Sequence, residues 1–180
     1  MPFHVGVFGN GAVYLTPPAN VPDGTRAYVY ILAGEDPVSF YRRLVLIEPE
    51  DARLYLQLGL AQLEVGRLAD AEAAFQRAIS LDFGFADAHL ALGRCYEQQG
   101  QLDSALLAYR KASDLAPDDA AAQRHRITVL LRLDRLDEAL AALEEALRAA
   151  PRLRAWVESD AALAPLRADP RWEATFVSEE

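Results

Sequence analysis

The chain begins with short apolar runs that are separated by glycine and proline. Phe3 to Phe8 and Ala12 to Thr16 are rich in aromatic and β-branched residues, which favour strands. Asn10-Gly11 lies between them, and Asn-Gly is typical of hairpin turns because both central residues must reach positive φ. Arg26 to Leu32 alternates in the manner of a strand with two usable faces. Residues 1–35 are therefore predicted to form a three-stranded antiparallel β-meander.

From residue 36 onward the apolar positions follow helical spacing and repeat every 34 residues. Small and apolar residues recur at this offset in three windows: Ala71, Ala105 and Ala139; Ala78, Ala112 and Ala146; Leu68, Leu102 and Leu136. Each window is predicted to contain two helices, because its apolar residues fall on one helical face. Gly66 and Gly100 are predicted to end the first helix of their windows in the left-handed conformation, and Asp134 takes that place in the third.

The repeat resembles the tetratricopeptide repeat, whose pattern is W-x2-L-G-x2-Y followed by A-x3-F, A and P. The residues that carry the match in the first two windows are Leu58, Gly59, Phe75, Leu92, Gly93, Tyr96 and Tyr109. The resemblance implies a mainly α fold, a right-handed tetratricopeptide-repeat α-solenoid, to which the β-meander adds a small N-terminal cap.

The same resemblance divides the chain into segments. It places three repeats in residues 52–151, at 52–85, 86–119 and 120–151. Residues 36–51 look like a degenerate half repeat, in which Asp36-Pro37 supplies the N-cap and the first helical residue. Residues 1–35 are expected to cap one end as the meander. Residues 152–180 are expected to cap the other with short helices, because the outer face of a terminal repeat meets water.

Two residues of the third window depart from the family pattern. Arg126 and Ile127 stand where leucine and glycine belong. A glycine in the middle of a helix costs about 1 kcal/mol relative to alanine, so Gly59 and Gly93 indicate a close approach of a neighbouring helix. We therefore expect the two helices of the third repeat to be spaced more widely.

Charge and hydropathy argue against several classes of function. The 180 residues carry a formal net charge of −9, and no basic stripe suited to nucleic acid is visible. No apolar stretch approaches the roughly 20 residues of a membrane span. The first residues lack the basic start and apolar core of a secretory signal. We expect a cytoplasmic protein that binds neither nucleic acid nor membrane, and the resemblance is to repeat arrays of the bacterial type.

The cysteine and the histidines do not predict a catalytic or metal site. Cys95 is the single cysteine, and no histidine or aspartate lies at helical spacing on its face to activate it. His4, His89 and His125 share no metal-ligand spacing. We therefore interpret Cys95 as a buried structural thiol and His89 as a core residue.

The glycines near the N-terminus have a similar structural interpretation. Gly6, Gly9 and Gly11 invite a dinucleotide-binding reading, but Pro17-Pro18 follows where such a site needs a helix. They are better explained as hairpin glycines. We expect no cofactor, no metal and no enzyme activity.

The resemblance places the first helix of each repeat along the concave side of the solenoid, where family members bind peptides or helices. The residues expected to line this groove are Leu56, Leu60, Leu63, Leu90, Arg94, Glu97, Arg124, His125, Thr128 and Arg132. Arg94, Arg124 and Arg132 would be available to an acidic segment or a C-terminal carboxylate. Some family members clamp a chaperone's C-terminus with basic and asparagine residues. Leu56, Leu60, Ala91, Ala121 and His125 stand at those places here, so that partner class is not expected.

The sequence leaves alternatives open. The meander would cover Leu56, Leu60 and Leu63 in one of them, and the free groove would then start at Leu90. The leading interpretation of function is a protein–protein interaction adaptor or assembly subunit. A second is self-association as a homodimer, because the exposed strand edges of a meander pair readily. A third is an enzyme with its site where the meander meets the helices.

Overall fold

The computed structural model describes residues 4–7, 13–16 and 36–172. The first two ranges are the strands β1 (His4–Val7) and β2 (Val13–Thr16). The helices are α1 (Pro37–Ile47), α2 (Ala52–Glu64), α3 (Leu68–Leu81), α4 (Ala86–Gln98), α5 (Leu102–Leu115), α6 (Ala120–Arg132), α7 (Leu136–Ala149), α8 (Arg154–Ser159) and α9 (Ala164–Arg167). Short 3-10 turns at Pro151–Leu153 and Ala161–Leu163 precede α8 and α9. The described part of the chain is mainly helical, as predicted.

The two strands form one hairpin. β1 and β2 pair antiparallel, with His4 opposite Thr16. This pairing corresponds to the first two strands of the predicted meander. The Asn10-Gly11 turn and the strand predicted at Arg26 to Leu32 lie outside the described residues, and the role of residues 1–35 as a cap stays a prediction.

Local capping sets the starts of several helices. Asp36 Oδ1 accepts the N–H of Ser39 at 3.0 Å, and Pro37 occupies the first helical position, which needs no donor. Asp51 caps α2 through the N–H of Arg53 at 2.8 Å. Asp119 caps α6 in the same way, through the N–H of Ala121 at 2.9 Å. An acidic N-cap therefore opens two of the three first helices.

Left-handed residues end the first helices, as predicted. Gly66 follows α2 with φ +74°, Gly100 follows α4 with φ +76°, and Asp134 follows α6 with φ +58°. The N–H group of each of the three bonds a carbonyl in the preceding turn, and this hydrogen bond satisfies a carbonyl that the helix end would otherwise leave free. The second helices then begin at residues 68, 102 and 136, which reproduces the sequence period.

The glycines at the helix crossings make room for aromatic rings. A Cβ atom at Gly59 would lie 2.5 Å from Cε1 of Phe75, and one at Gly93 would lie within 3.0 Å of three ring atoms of Tyr109. In the third pair the crossing position holds Ile127, which is fully buried. α6 and α7 make fewer close backbone approaches than the two preceding pairs, as the loss of glycine leads one to expect.

Two apolar clusters form the core of the helical part. The first draws on α2 to α5 and includes Phe75 and Cys95. The second draws on α5 to α9 and includes Tyr109 and Ile127. Five residues beyond α7 belong to the second cluster, each at most 4% exposed: Ala150, Leu153, Val157, Leu163 and Leu166. Burying a leucine or valine side chain stabilises the fold by about 1.5–3 kcal/mol, so the last short helices contribute to the core of the third pair.

Candidate protein-binding face

Helices α2, α4 and α6 present the ten predicted residues in rows, because equivalent residues are 34 positions apart. The rows are Leu56, Leu90 and Arg124; Leu60, Arg94 and Thr128; and Leu63 and Glu97, with His125 and Arg132 beside them on α6. α2 packs directly against α4, so the rows continue from one first helix to the next. We call the surface of these ten residues the first-helix face.

The leucine end of the first-helix face is largely buried. Leu56 is 7% exposed and Leu63 is 5% exposed, and both belong to the same cluster as Phe75. Leu60 packs against the edge of that cluster and is partly buried. All three are predicted groove residues, and the sequence left open that they are covered; in the structure Leu56 and Leu63 belong to the apolar cluster and are not accessible. The accessible part of the face therefore begins near Leu60 and Leu90.

Glu97 organises the charged end of the face. Its Oε2 accepts a 2.8 Å hydrogen bond from the hydroxyl of Tyr109, and its Oε1 accepts a hydrogen bond from Arg132. Nδ1 of His125 lies 3.6 Å from Oε2. The Glu97 side chain is only 21% exposed. The carboxylate therefore links α4 to α5 and α6 through three side chains, and we call these four residues the Glu97 cluster.

The aromatic members of the Glu97 cluster are stacked and electrically neutral near pH 7. The rings of Tyr109 and His125 lie 4.9 Å apart at an angle of 17°. Burial raises the pKa of Tyr109 far above its ordinary value, and the bond to Glu97 adds to the rise. Burial lowers the pKa of His125, with Arg94 and Arg124 in the same sense and Glu97 opposing them. The imidazole is therefore uncharged at neutral pH.

The three arginines predicted to meet a partner have different environments. Arg132 bonds Glu97, and Nε of Arg124 lies 3.2 Å from Oδ2 of Asp160. Arg94 is exposed and forms no ion pair with any residue in ranges 4–7, 13–16 and 36–172. Two of the three guanidinium groups are thus engaged within the chain, and Arg94 alone of the three is unpaired among the described residues.

Asp160 joins the face to the C-terminal helices. Its carboxylate accepts the N–H of Ala162 at 3.0 Å, the indole N–H of Trp156 at 2.8 Å, and Arg124 of α6. These hydrogen bonds, first the backbone one, lower the pKa of Asp160, and Arg124 and Arg167 lower it further. The carboxylate is therefore charged at neutral pH and fixes the orientation of Arg124.

Sequence reasoning missed the roles of Tyr109 and Asp160. The repeat pattern identifies Tyr109 only as an aromatic residue that carries the family match, and it assigns no role to Asp160. One signal could have found the first. The equivalent residue 34 positions earlier is Phe75, so the hydroxyl of Tyr109 is an addition that packing alone does not require.

Cys95 lies in the core rather than on the face. It is fully buried, and its Sγ donates to the carbonyl of Leu68 at 3.2 Å. Burial raises the pKa of the thiol. The described residues contain no group of three side chains that could hold a metal ion. None of the helices described has the length and apolar character that crossing a bilayer requires.

A model of the tetratricopeptide repeat matches residues 41–82, 56–120 and 98–154 of the chain. The overlapping matches cover most of the helical part, in agreement with the helix pairs and the glycine–aromatic crossings. The chain belongs to the tetratricopeptide repeat family. No protein of curated function matches it significantly.

Solved structures share this fold. Two crystal structures of MamA align with 28% identity and TM-scores of 0.59 and 0.61, over 62% and 74% of this chain. The chain spans 66% and 73% of those MamA chains. The first tetratricopeptide domain of Spaghetti, bound to an HSP90 peptide, aligns with 18% identity and a TM-score of 0.52, over 54% of this chain and 77% of that one. At 18% identity, the similarity to the Spaghetti domain shows a shared fold alone.

Proposed function

We propose that the protein is an interaction adaptor or assembly subunit whose first-helix face binds an acidic segment of another protein. The observation that carries this proposal is Arg94, an exposed guanidinium on the middle row with no ion pair among the described residues. Arginine binds carboxylates through two parallel hydrogen bonds, which gives both affinity and orientation.

The charge of this region supports an acidic partner. Arg94, Arg124 and Arg132 carry three positive charges, and Glu97 and Asp160 carry two negative ones, while His125 is neutral. The region is therefore cationic on a chain whose net charge is −9. An acidic segment would be steered toward it and away from the rest of the surface.

The relatives support the general mode of binding. The Spaghetti domain was solved with the HSP90 peptide SRMEEVD, so an array of this fold can hold a peptide. Tetratricopeptide repeat proteins are generally adaptors without catalysis, which favours a binding role over an enzymatic one. The clamp residues of chaperone-binding members are replaced here, so we propose an acidic segment engaged mainly by Arg94.

The test uses a fluorescein-labelled hexaglutamate peptide as probe and fluorescence anisotropy as readout. Arg94→Glu should weaken binding about tenfold or more, because a charge-assisted contact becomes a repulsive one. Arg148→Glu is the matched control, since Arg148 is exposed on α7 and the substitution changes net charge equally. Both variants should melt within a few degrees of the wild type.

Equal weakening by the two substitutions would mean that the probe senses only overall charge, and the proposal would then be wrong. Hexalysine in place of hexaglutamate gives the complementary control. Hexalysine should not bind the first-helix face. Any binding of hexalysine elsewhere on the protein should not be weakened by Arg94→Glu.

The second candidate function is self-association through the N-terminal strands. The two described strands form a two-stranded sheet, so each has one edge that no other described strand pairs with. Unpaired strand edges are templates for pairing with another chain. Light scattering after size-exclusion chromatography, on the full chain and on one lacking residues 1–35, tests this. A dimer that the truncation converts to a monomer supports it, and a monomeric full chain contradicts it.

A further inference from the structure

A crevice of about 200 Å³ opens between α5, α6 and α7, and none of the ten residues of the first-helix face lines it. α5 contributes Leu106, Leu107 and Arg110 to its walls, and α6 contributes Leu130 and Arg126. Arg135, just before α7, completes the rim together with the two acidic residues that it pairs with, Glu138 and Asp103. We call this site the α5–α7 crevice.

The crevice lies where the third repeat departs from the family pattern. Arg126 occupies the position of Leu58 and Leu92, which are each 8% exposed in the two preceding repeats. Ile127 replaces the crossing glycine, and α6 and α7 approach each other less closely than the earlier pairs. A charged residue in the leucine position and a wider helix pair leave space that the first two repeats fill with apolar side chains.

The apolar part of the crevice has two buried leucines at its base, which we call the floor, and one exposed leucine at its edge, which we call the lip. Leu106 and Leu130 are 9% and 2% exposed and form the floor. Leu107 stands beside them and is 70% exposed. The volume lies below the roughly 300–1,000 Å³ of pockets that hold drug-sized ligands. It has room for a single bulky side chain.

Ion pairs within the chain engage two of the three arginines at the rim. Arg126 Nη1 lies 2.9 Å from Glu145 Oε2. Arg135 makes two hydrogen bonds of 2.6 Å to Glu138. Arg110 is exposed and has no ion pair in the part of the chain that the structure describes. Among the described residues, Arg110 is therefore the one guanidinium of this rim without an ion pair.

The spacing of the two exposed side chains, Leu107 and Arg110, determines which partner segment would fit the crevice. Leu107 and Arg110 are three residues apart on α5 and so lie on the same side of that helix. We propose that the α5–α7 crevice binds a helical segment of a partner protein that carries a bulky apolar side chain and, one turn later, a carboxylate. The apolar side chain fills the space above Leu106 and Leu130, and the carboxylate pairs with Arg110.

This inference goes beyond the proposed function, because it assigns a second surface, formed by α5, α6 and the start of α7, that shares no residue with the first-helix face. The two surfaces make different demands. The first-helix face requires charge alone, whereas the crevice requires an apolar group and a carboxylate at a fixed spacing. The protein would then connect two partners, each on its own surface.

The probe for the crevice is a fluorescein-labelled helical peptide of about 15 residues, long enough to form a helix. It has an alanine–glutamine host, one phenylalanine and a glutamate one turn after it. Arg110→Glu and Leu107→Ser should each weaken binding about tenfold, because one reverses the charge contact and the other removes the apolar lip. Methyl resonances of Leu106 and Leu130 should shift on titration with the peptide.

Two matched controls separate the site from general effects. Lys111→Glu changes net charge as Arg110→Glu does, at the next residue of the same helix and outside the crevice lining. Leu46→Ser removes a leucine that is 78% exposed, much as Leu107 is. Both controls, and Arg94→Glu, should leave binding of the helical peptide within about twofold of the wild type. Arg94→Glu should still weaken hexaglutamate, so the two proposals can fail separately.

Three outcomes would overturn the proposal. A peptide whose phenylalanine is replaced by glutamine and which binds equally well would show that the apolar contact plays no part. Equal losses for Arg110→Glu and Lys111→Glu would show a response to net charge only. Self-association of the protein that Leu107→Ser abolishes would make a second copy of this chain the occupant.

Discussion

Gly93 of α4 lies against the ring of Tyr109 of α5, and the hydroxyl at the far end of that ring donates a 2.8 Å hydrogen bond to Glu97, one turn after Gly93. The absence of a side chain at Gly93 lets the ring come close enough for its hydroxyl to reach the carboxylate. A packing feature of the core therefore positions the Glu97 cluster on the first-helix face.

Gly93→Ala should destabilise the protein even though alanine is the better helix former by about 1 kcal/mol. The new Cβ would lie within 3.0 Å of three ring atoms, so Tyr109 would have to move. We expect a net loss of about 1–3 kcal/mol in the free energy of unfolding, as for other overpacked sites. Urea denaturation followed by circular dichroism measures it.

The control is the double variant Gly93→Ala with Tyr109→Leu, which imitates the third pair. There Ile127 and Leu143 replace the glycine and the aromatic residue, and both are fully buried. Tyr109→Leu should lower the free energy of unfolding less in the Gly93→Ala background than it does in the wild type. A stability of Gly93→Ala equal to or above the wild type would contradict the close contact.

The hydrogen bond between Tyr109 and Glu97 should be measurable as a coupling energy. Tyr109→Phe removes the hydroxyl and leaves the ring, and Glu97→Gln removes the charge. In a double-mutant cycle the two should couple by about 0.5–3 kcal/mol, because the residues are in direct contact and largely shielded from water. A cycle of Glu97 with Arg132, whose side chain is 45% exposed, should give a smaller coupling, because solvent screens the pair. Effects that simply add in the first cycle would show that this bond contributes nothing to stability.

The helix pairs could be predicted from sequence because their signals are local or strictly periodic. Gly66 and Gly100 end helices through their own backbone, and Gly59 and Gly93 mark crossings that recur with the 34-residue period. At each of these four positions the residue type itself, glycine, indicates the local structure. The wider third pair followed from Ile127 in the same way.

The charged part of the site could not be predicted, because it depends on which side chains meet across helices. Arg124 pairs with Asp160, which lies beyond the last repeat and therefore has no periodic equivalent. The position of Leu56 and Leu63 beside the apolar stripe leaves open whether they line the groove or are covered, and in the structure they are buried. Helical spacing places a residue on a side of its helix, and only the neighbouring helices determine how wide the buried side is.

The protein should lose stability as the pH falls below the ordinary pKa of histidine, 6.5. Burial keeps the pKa of His125 below that value in the folded state, so the unfolded chain takes up its proton first. The contribution of the neutral imidazole to stability is therefore full well above pH 6.5 and declines as the pH falls through that value. His125→Asn should make the melting temperature less dependent on pH between about 5 and 8.

His89 gives a second contribution of the same sign, since burial lowers its pKa too. His89→Asn should therefore reduce the pH dependence as well, and the double variant should reduce it further. A wild-type melting temperature that rises on acidification through this range would contradict the assignment of both imidazoles as neutral.

Asp134→Gly should stabilise the protein. Asp134 ends α6 with φ +58°, a conformation that costs an ordinary L-residue about 1–2 kcal/mol and aspartate somewhat less. Its side chain is exposed and makes no hydrogen bond or ion pair with the residues that the structure describes, so the substitution removes no contact. Glycine adopts the same backbone conformation without strain but loses more conformational entropy on folding, so we expect a net gain of up to about 1 kcal/mol in the free energy of unfolding.

Gly100→Asp is the reciprocal control. Nothing lies within 4 Å of a Cβ atom at Gly100, so this change tests conformation alone and should lower the melting temperature. If Asp134→Gly lowered it instead, the aspartate would have to support the α6–α7 turn through something other than its backbone angle.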